Sequence, residues 1–256
     1  MPIITPACIS NGYDDEQFLP CHTGVPAQIL HPRRSVIRRD YIVRMMEEFV
    51  RALAGINALK RAHEWEKARE SADQELRRLF GASASELLNL SDTELRARLI
   101  AGEPTQAVRD KTLMLATLLN EAGDAATSQS REEEGNRFHQ KALDLLLNVL
   151  SQGDPSELPE FAPKIELLLG ALQEWNLPMG TCATVMQYYE RIGEFGKAED
   201  RFHAILAEAP ADPRTIQFGM AFYRRLLSQS DESLAGGNLP RSEVEMALQE
   251  LARKGS

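Results

Sequence analysis

At 256 residues, with 43% apolar and 26% charged side chains, the chain is long enough to bury a core and too apolar to be disordered throughout. Its net charge of −9 disfavours general nucleic-acid binding, because a phosphate backbone rewards clustered Lys and Arg. No apolar run approaches the roughly 20 residues that span a bilayer, and three scattered cysteines, Cys8, Cys21 and Cys182, form no disulfide framework.

Residues 1–35 read as a poorly ordered segment, because Pro, Gly and polar residues interrupt every periodicity. The opening MPIITPACISNGYDDEQFLP has no basic-then-apolar signal pattern, and a reducing, cytoplasmic setting fits best. The helical pattern switches on at Val36, which would be the native start if the first 35 residues are a gene-calling artefact; an intact Met1 in mass spectrometry of the endogenous protein would end that reading. A single helical-repeat domain is expected over residues 36–256.

From Arg38 the periodicity is nearly continuous. Phe49, Leu53, Ile56 and Leu59 or Lys60 mark one buried stripe. A break at Ala62-His63 precedes a helix over residues 64–80, which Gly81 ends. Ser83 with Glu86, and Ser91 with Glu94, are capping boxes: each hydroxyl accepts from an orphan backbone N–H while the glutamate reaches back. Gly102-Glu103-Pro104 interrupts the chain, and long helices are expected over 105–129 and 131–150. Asp154-Pro155 restarts the pattern as cap and first turn. Further helices are expected over 163–175, 179–192, 195–209 and 213–228, then a turn at Gly236-Gly237 and a last helix from Pro240 to Lys254. No segment shows the period-two alternation of a strand, so the fold class is all-α, with consecutive helices antiparallel.

Between Cys182 and Pro210 the chain reads CATVMQYYERIGEFGKAEDRFHAILAEAP. Tyr189, Gly193, Phe195, Ala198, Phe202, Ile205 and Pro210 follow in the order and spacing of a tetratricopeptide repeat, which this segment resembles. Small Ala198 lets two helices approach, and Tyr189 and Phe202 fill the seam. Two weaker copies are present. In the first, Trp65, Ala68, Ala72 and Leu76 follow His63, which replaces the turn glycine. In the middle one, Gly123, Gly135, His139 and Ala142 flank Ser130 at the turn. The copies lie about 65 residues apart, so extra helices intervene in what would otherwise be a 34-residue array. The order of RRDYIVRMMEEF, YYERIGEFGKAED and AFYRRLLSQSDESLAGGNLPRSEVEMAL is also similar to an uncharacterised bacterial family of helical-repeat proteins with no assigned activity. The implied architecture is a tetratricopeptide-like stack of antiparallel hairpins, an α-solenoid or a compact superhelix.

The repeat register places polar groove positions on the first helix of each hairpin. They are Ala183, Gln187, Glu190 and Arg191 in the best repeat, Asn120, Asp124 and Thr127 in the middle copy, and Asn57, Lys60 and Arg61 in the first. They are candidate partner contacts, against the plainer reading of a solvated helix face. Ala183 and Gln187 stand at two positions of the Lys/Asn clamp that holds a C-terminal carboxylate in chaperone-binding repeats, so chaperone tails are disfavoured. Arg33, Arg34, Arg38, Arg39 and Arg44 form a basic cluster that suits an anionic surface or, more plainly, intramolecular ion pairs. Cys8, Cys21, His22 and His31 are too loosely spaced for a zinc site, and no metal or cofactor is expected. His63, His139 and His203 sit on separate helices and read as packing or surface residues. Gly236-Gly237 permits positive φ or a close backbone approach.

No G-x-x-x-x-G-K-[ST], G-x-G-x-x-G, H-E-x-x-H or G-x-S-x-G occurs, and no carboxylate pair is marked as catalytic. The expected function is a non-enzymatic scaffold or adaptor that binds a protein or peptide. The alternatives are a ligand- or peptide-sensing regulator, a self-assembling structural subunit (homo-oligomer) and an enzyme with an unrecognised helical site.

Overall fold

The computed structural model describes the backbone of residues 33–101, 105–153 and 158–254, and the side chains from Tyr41 onward apart from Asp92 and Gln106. Compactness divides the chain into Met1–Asp40 and Tyr41–Ser256. Of the first unit only the opening turns of a helix are described, and every described side chain belongs to the second. Of the segment expected to be poorly ordered, residues 1–32, with Cys8, Cys21, His22 and His31, lie outside the described residues, whereas residues 33–35 are helical; the breaks at Gly102-Pro104 and Asp154-Pro155 also lie outside.

The described residues form twelve helices and no strand. They are α1 Arg33–Arg61, α2 Trp65–Phe80, α3 Ala84–Asn89, α4 Asp92–Ile100, α5 Thr105–Ser128 and α6 Glu132–Gln152. After them come α7 Ile165–Ala171, α8 Met179–Ile192, α9 Phe195–Glu208, α10 Pro213–Leu226, α11 Asp231–Gly236 and α12 Arg241–Lys254. The first helix begins five residues before the expected Arg38 (38 − 33), and α7 is shorter than its pattern implied. Short α11 was not legible in the sequence. Ser230 caps it by accepting from the Ser233 N–H.

Three hairpins, α1–α2, α5–α6 and α8–α9, close through one turn geometry. His63 (φ 58°), Ser130 (φ 60°) and Gly193 (φ 81°) each take the left-handed conformation after the helix end. The next residue's N–H reaches back five positions each time: Glu64 to Leu59 O at 2.9 Å, Arg131 to Ala126 O at 3.0 Å, Glu194 to Tyr189 O at 3.0 Å. The left-handed residues donate in turn to Lys60 O, Thr127 O and Glu190 O. This is the Schellman pattern, which satisfies carbonyls that a helix end orphans. Glu64 (φ −87°, ψ 60°), Arg131 (φ −105°, ψ 60°) and Glu194 (φ −85°, ψ 64°) then start the second helices alike. Five residues past each turn stands a buried small residue, Ala68, Gly135 or Ala198, where the helices approach. A Cβ on Gly135 would sit 2.2 Å from Thr127 Oγ1. The hairpins run antiparallel: Arg78 of α2 meets Glu48 of α1 at 3.0 Å, each fifteen residues from His63 (78 − 63 and 63 − 48).

Each element packs on its neighbour: α2 on α5, α5 on α6, α6 on α7 and α8, α8 on α9, α9 on α10, α10 on α12. The core is densest at α5, where Leu113, Met114, Leu115, Ala116, Leu118 and Leu119 are fully buried. Both expected capping boxes are present, with Glu86 N–H to Ser83 Oγ and Glu94 N–H to Ser91 Oγ at 3.3 Å. Asp212 caps α10, accepting from the Arg214 N–H at 2.9 Å. Of the two uses expected of the glycine pair closing α11, the close backbone approach is the one the structure shows. Asn238 carries the positive φ (57°), whereas Gly237 (φ −84°) is small because a Cβ there would stand 2.3 Å from Gly193 O. Gly196 donates to Gly237 O at 2.8 Å, so the α11–α12 loop is stitched onto the α8–α9 turn.

Candidate functional site

The last turn of α1 aims Lys60 at α5. Its ammonium donates to Glu121 Oε2 and Asp124 Oδ2, each at 2.5 Å. Asp124 Oδ1 lies 3.0 Å from His139 Nε2 on α6. The imidazole is 2% exposed and lies against Gly123, where a Cβ would come within 2.5 Å of the ring. Burial opposes the Lys60 charge, but the carboxylates of Glu121 and Asp124 outweigh it and hold the ammonium above its ordinary pKa. Burial also opposes the Asp124 charge; its hydrogen bond from His139 and the nearby Lys60 cation prevail and lower that pKa. Burial dominates at Glu121 and raises its pKa against the pull of Lys60.

Two of the residues expected to meet a partner, Lys60 and Asp124, are therefore brought together across a sequence gap of 64 residues and engage each other. Asn57 and Asn120 lie half-buried on the same two helices. Sequence reasoning missed Glu121, whose place beside Asp124 on a polar face carried no mark of its burial.

In the best repeat the candidates split. Gln187 and Arg191, both exposed, share a groove of about 190 Å³ between α6 and α8 with Leu147, Ser151, Thr184 and Tyr188. Arg191 donates to Leu150 O near the end of α6. Ser151 and Thr184 donate to carbonyls of their own helices, Asn148 O at 2.7 Å and Gly180 O at 3.0 Å, which leaves their oxygens able to accept. Glu190 turns away and takes a bidentate ion pair from Arg225 of α10, at 2.7 and 2.8 Å. Ala183 packs against the core. Tyr188 was not singled out in the sequence, because its neighbour Tyr189 holds the repeat position; burial, with Glu166 nearby, raises the Tyr188 pKa.

His63 and His203 are exposed and His139 is buried. Among the described residues no group of three or more His, Cys, Asp and Glu converges on a point where an ion could sit. Burial raises the pKa of the Cys182 thiol, which favours its unreactive protonated form. Of the basic cluster, only Arg44 has a described side chain. No described helix is long and apolar enough to cross a membrane.

The fold and its surfaces define an all-α protein of packed helix hairpins. Residues 36–256 match the family of unknown function DUF6483, and the chain belongs to that family. A search of curated proteins finds no match.

Proposed function

We propose that the chain is a non-enzymatic interaction scaffold, a tetratricopeptide-like stack of hairpins that holds a protein or peptide segment in the α6–α8 groove. The recurrence of one turn geometry at His63, Ser130 and Gly193 carries the repeat reading. Stacked hairpins of this kind present long shallow surfaces suited to an extended partner. In the groove, exposed Gln187 and Arg191 offer an amide and a cation, Tyr188 a ring, and Leu147 an apolar floor. An aromatic beside an arginine is the pairing enriched at binding hot spots.

The test is a tagged pull-down from the native organism with quantitative mass spectrometry. A triple variant, Gln187→Ala, Tyr188→Ala and Arg191→Ala, is compared with wild type and with Glu190→Ala, whose side chain faces α10. A near-stoichiometric partner lost from the triple variant but kept by Glu190→Ala is expected. A partner kept by both moves the site off this groove, and the absence of any partner counts against the scaffold.

A further inference from the structure

A second depression lies between α4, α5 and α6, away from the residues of the α6–α8 groove. Its floor is apolar: Leu95, Leu99 and Leu145 are buried, and Val108 is half-buried. Ile100 stands at its edge with 54% of its surface exposed, an isoleucine left in water on a helix with few other apolar residues. The space amounts to about 170 Å³. That volume is comparable with the roughly 150 Å³ that takes up a six-carbon hydrocarbon ring, and here an apolar floor is bordered by polar residues, which suits a ligand with a small hydrocarbon body and a polar end.

The polar residues are placed to read the end of such a body. Arg96 and Lys141 are the cations of the lining and Asp144 is its one carboxylate. Asp144 accepts from Thr181 Oγ1 of α8 at 2.9 Å, and Lys141 donates to Leu90 O at 3.0 Å. Arg96 is exposed on α4, one residue from Leu95 and four from Ile100. Two cations against one carboxylate leave this lining positive in a chain whose net charge is −9.

We propose that this depression binds a free medium-chain carboxylate, its hydrocarbon on the Leu95–Leu99–Leu145 floor and its head at Arg96. A chain of about six to eight carbons matches the volume. The ligand would cover Ile100 and bridge three helices. Because it binds the native state alone, it would stabilise the protein as its concentration rises. The site shares only α6 with the α6–α8 groove, so it stands or falls independently of the scaffold reading.

Sodium octanoate is the probe and octan-1-ol its uncharged control. The full chain with isotope-labelled Ile, Leu and Val methyls is titrated with each, and the methyl spectrum is read. Saturable shifts confined to Leu95, Leu99, Ile100, Val108 and Leu145 are expected. Octanoate should bind about fivefold tighter than octanol, the upper size of a rim ion pair, and Arg96→Gln should bring the two to near parity. Equal affinity in the wild-type protein overturns the carboxylate assignment. Shifts that stay linear into the millimolar range, or that scatter over the surface, overturn the site itself. Arg96 is exposed, so its substitution leaves the core intact.

Discussion

Ser130 and Gly193 hold the same backbone conformation with different side chains, which makes the turn open to a two-way test. Left-handed φ costs an L-residue roughly 1–2 kcal/mol and costs glycine almost nothing. Ser130 bears that strain at φ 60°, and Gly193 escapes it at φ 81°. Nothing lies within 4 Å of a Cβ built on Gly193, so Gly193→Ala would lose conformational energy alone. The expected outcome is a loss of about 1 kcal/mol for Gly193→Ala and a gain of about 0.5 kcal/mol for Ser130→Gly, smaller because glycine loosens the unfolded chain. Urea denaturation measures both, and a gain of stability in Gly193→Ala would sink the assignment of this turn. The glycine of the best repeat was legible because a known pattern demands it. His63 and Ser130 were legible only from their place in weaker copies. That Asn238, rather than Gly236 or Gly237, would carry positive φ was not, because glycine answers equally to a bent backbone and to crowding, and only coordinates separate the two.

Between elements, the tie of α1 to α5 depends on pH in a way its geometry fixes. Lys60 is mostly shielded, with 17% of its side chain exposed, and Glu121 more so at 9%. Lys60→Met would leave two carboxylates without their cation. A loss of about 2 kcal/mol is expected, less than the 3–5 kcal/mol for a fully buried pair because Asp124 remains partly wet. Since folding lowers the Asp124 pKa, its contribution is complete above the ordinary carboxylate value and is lost as pH falls through the lowered one. Folding raises the Lys60 pKa, so that contribution is complete below the ordinary lysine value and is lost as pH rises through the raised one. Glu121, raised by burial, has the opposite sign to Asp124: its ionised form is the costly one. Stability measured from pH 7 to pH 3 should therefore fall less steeply in Asp124→Asn than in wild type, and Glu121→Gln should cost less than Asp124→Asn at pH 7. Parallel curves for wild type and Asp124→Asn would show that the carboxylate contributes nothing. Helix periodicity exposes the apolar stripe of Phe49, Leu53 and Ile56, which the structure buries. It cannot show that Lys60, beside that stripe, meets residues more than sixty positions away, because cross-hairpin partners follow no local period. The candidate site was legible to the same extent. Gln187 and Arg191 line one groove, while Glu190 is drawn off by Arg225 of α10, a partner that no local period points to.

At the scale of the molecule, the order of packing decides how stability is distributed. Chain neighbours pack most heavily in α5 with α6 and α8 with α9, while α2 leans mainly on α5 and α10 on α12; α5 lies among α2, α4 and α6 with its Leu113–Leu119 stretch fully shielded. A helix buried on all sides opens only when its neighbours open. α12 rests on α10 and α11, with Val244 and Leu251 buried and Met246 58% exposed. α4 buries Leu95 and Leu99 and leaves its other described side chains in water. Native-state hydrogen exchange should therefore be slowest in α5 and α6 and fall off outward to α12, with α4 among the fast elements. A stack held by nearest-neighbour contacts gives that gradient, since terminal units can detach without unfolding the middle. Exchange governed by one global opening throughout would mean that the hairpins form a single cooperative body. The α11–α12 loop would then be the element to suspect, because the hydrogen bond from Gly196 to Gly237 joins the last helices to the α8–α9 hairpin at its turn. Gly237→Ala, which drives a Cβ against Gly193 O, distinguishes the cases: in a gradient it accelerates exchange in α11 and α12 alone, and in a cooperative body it accelerates all helices equally.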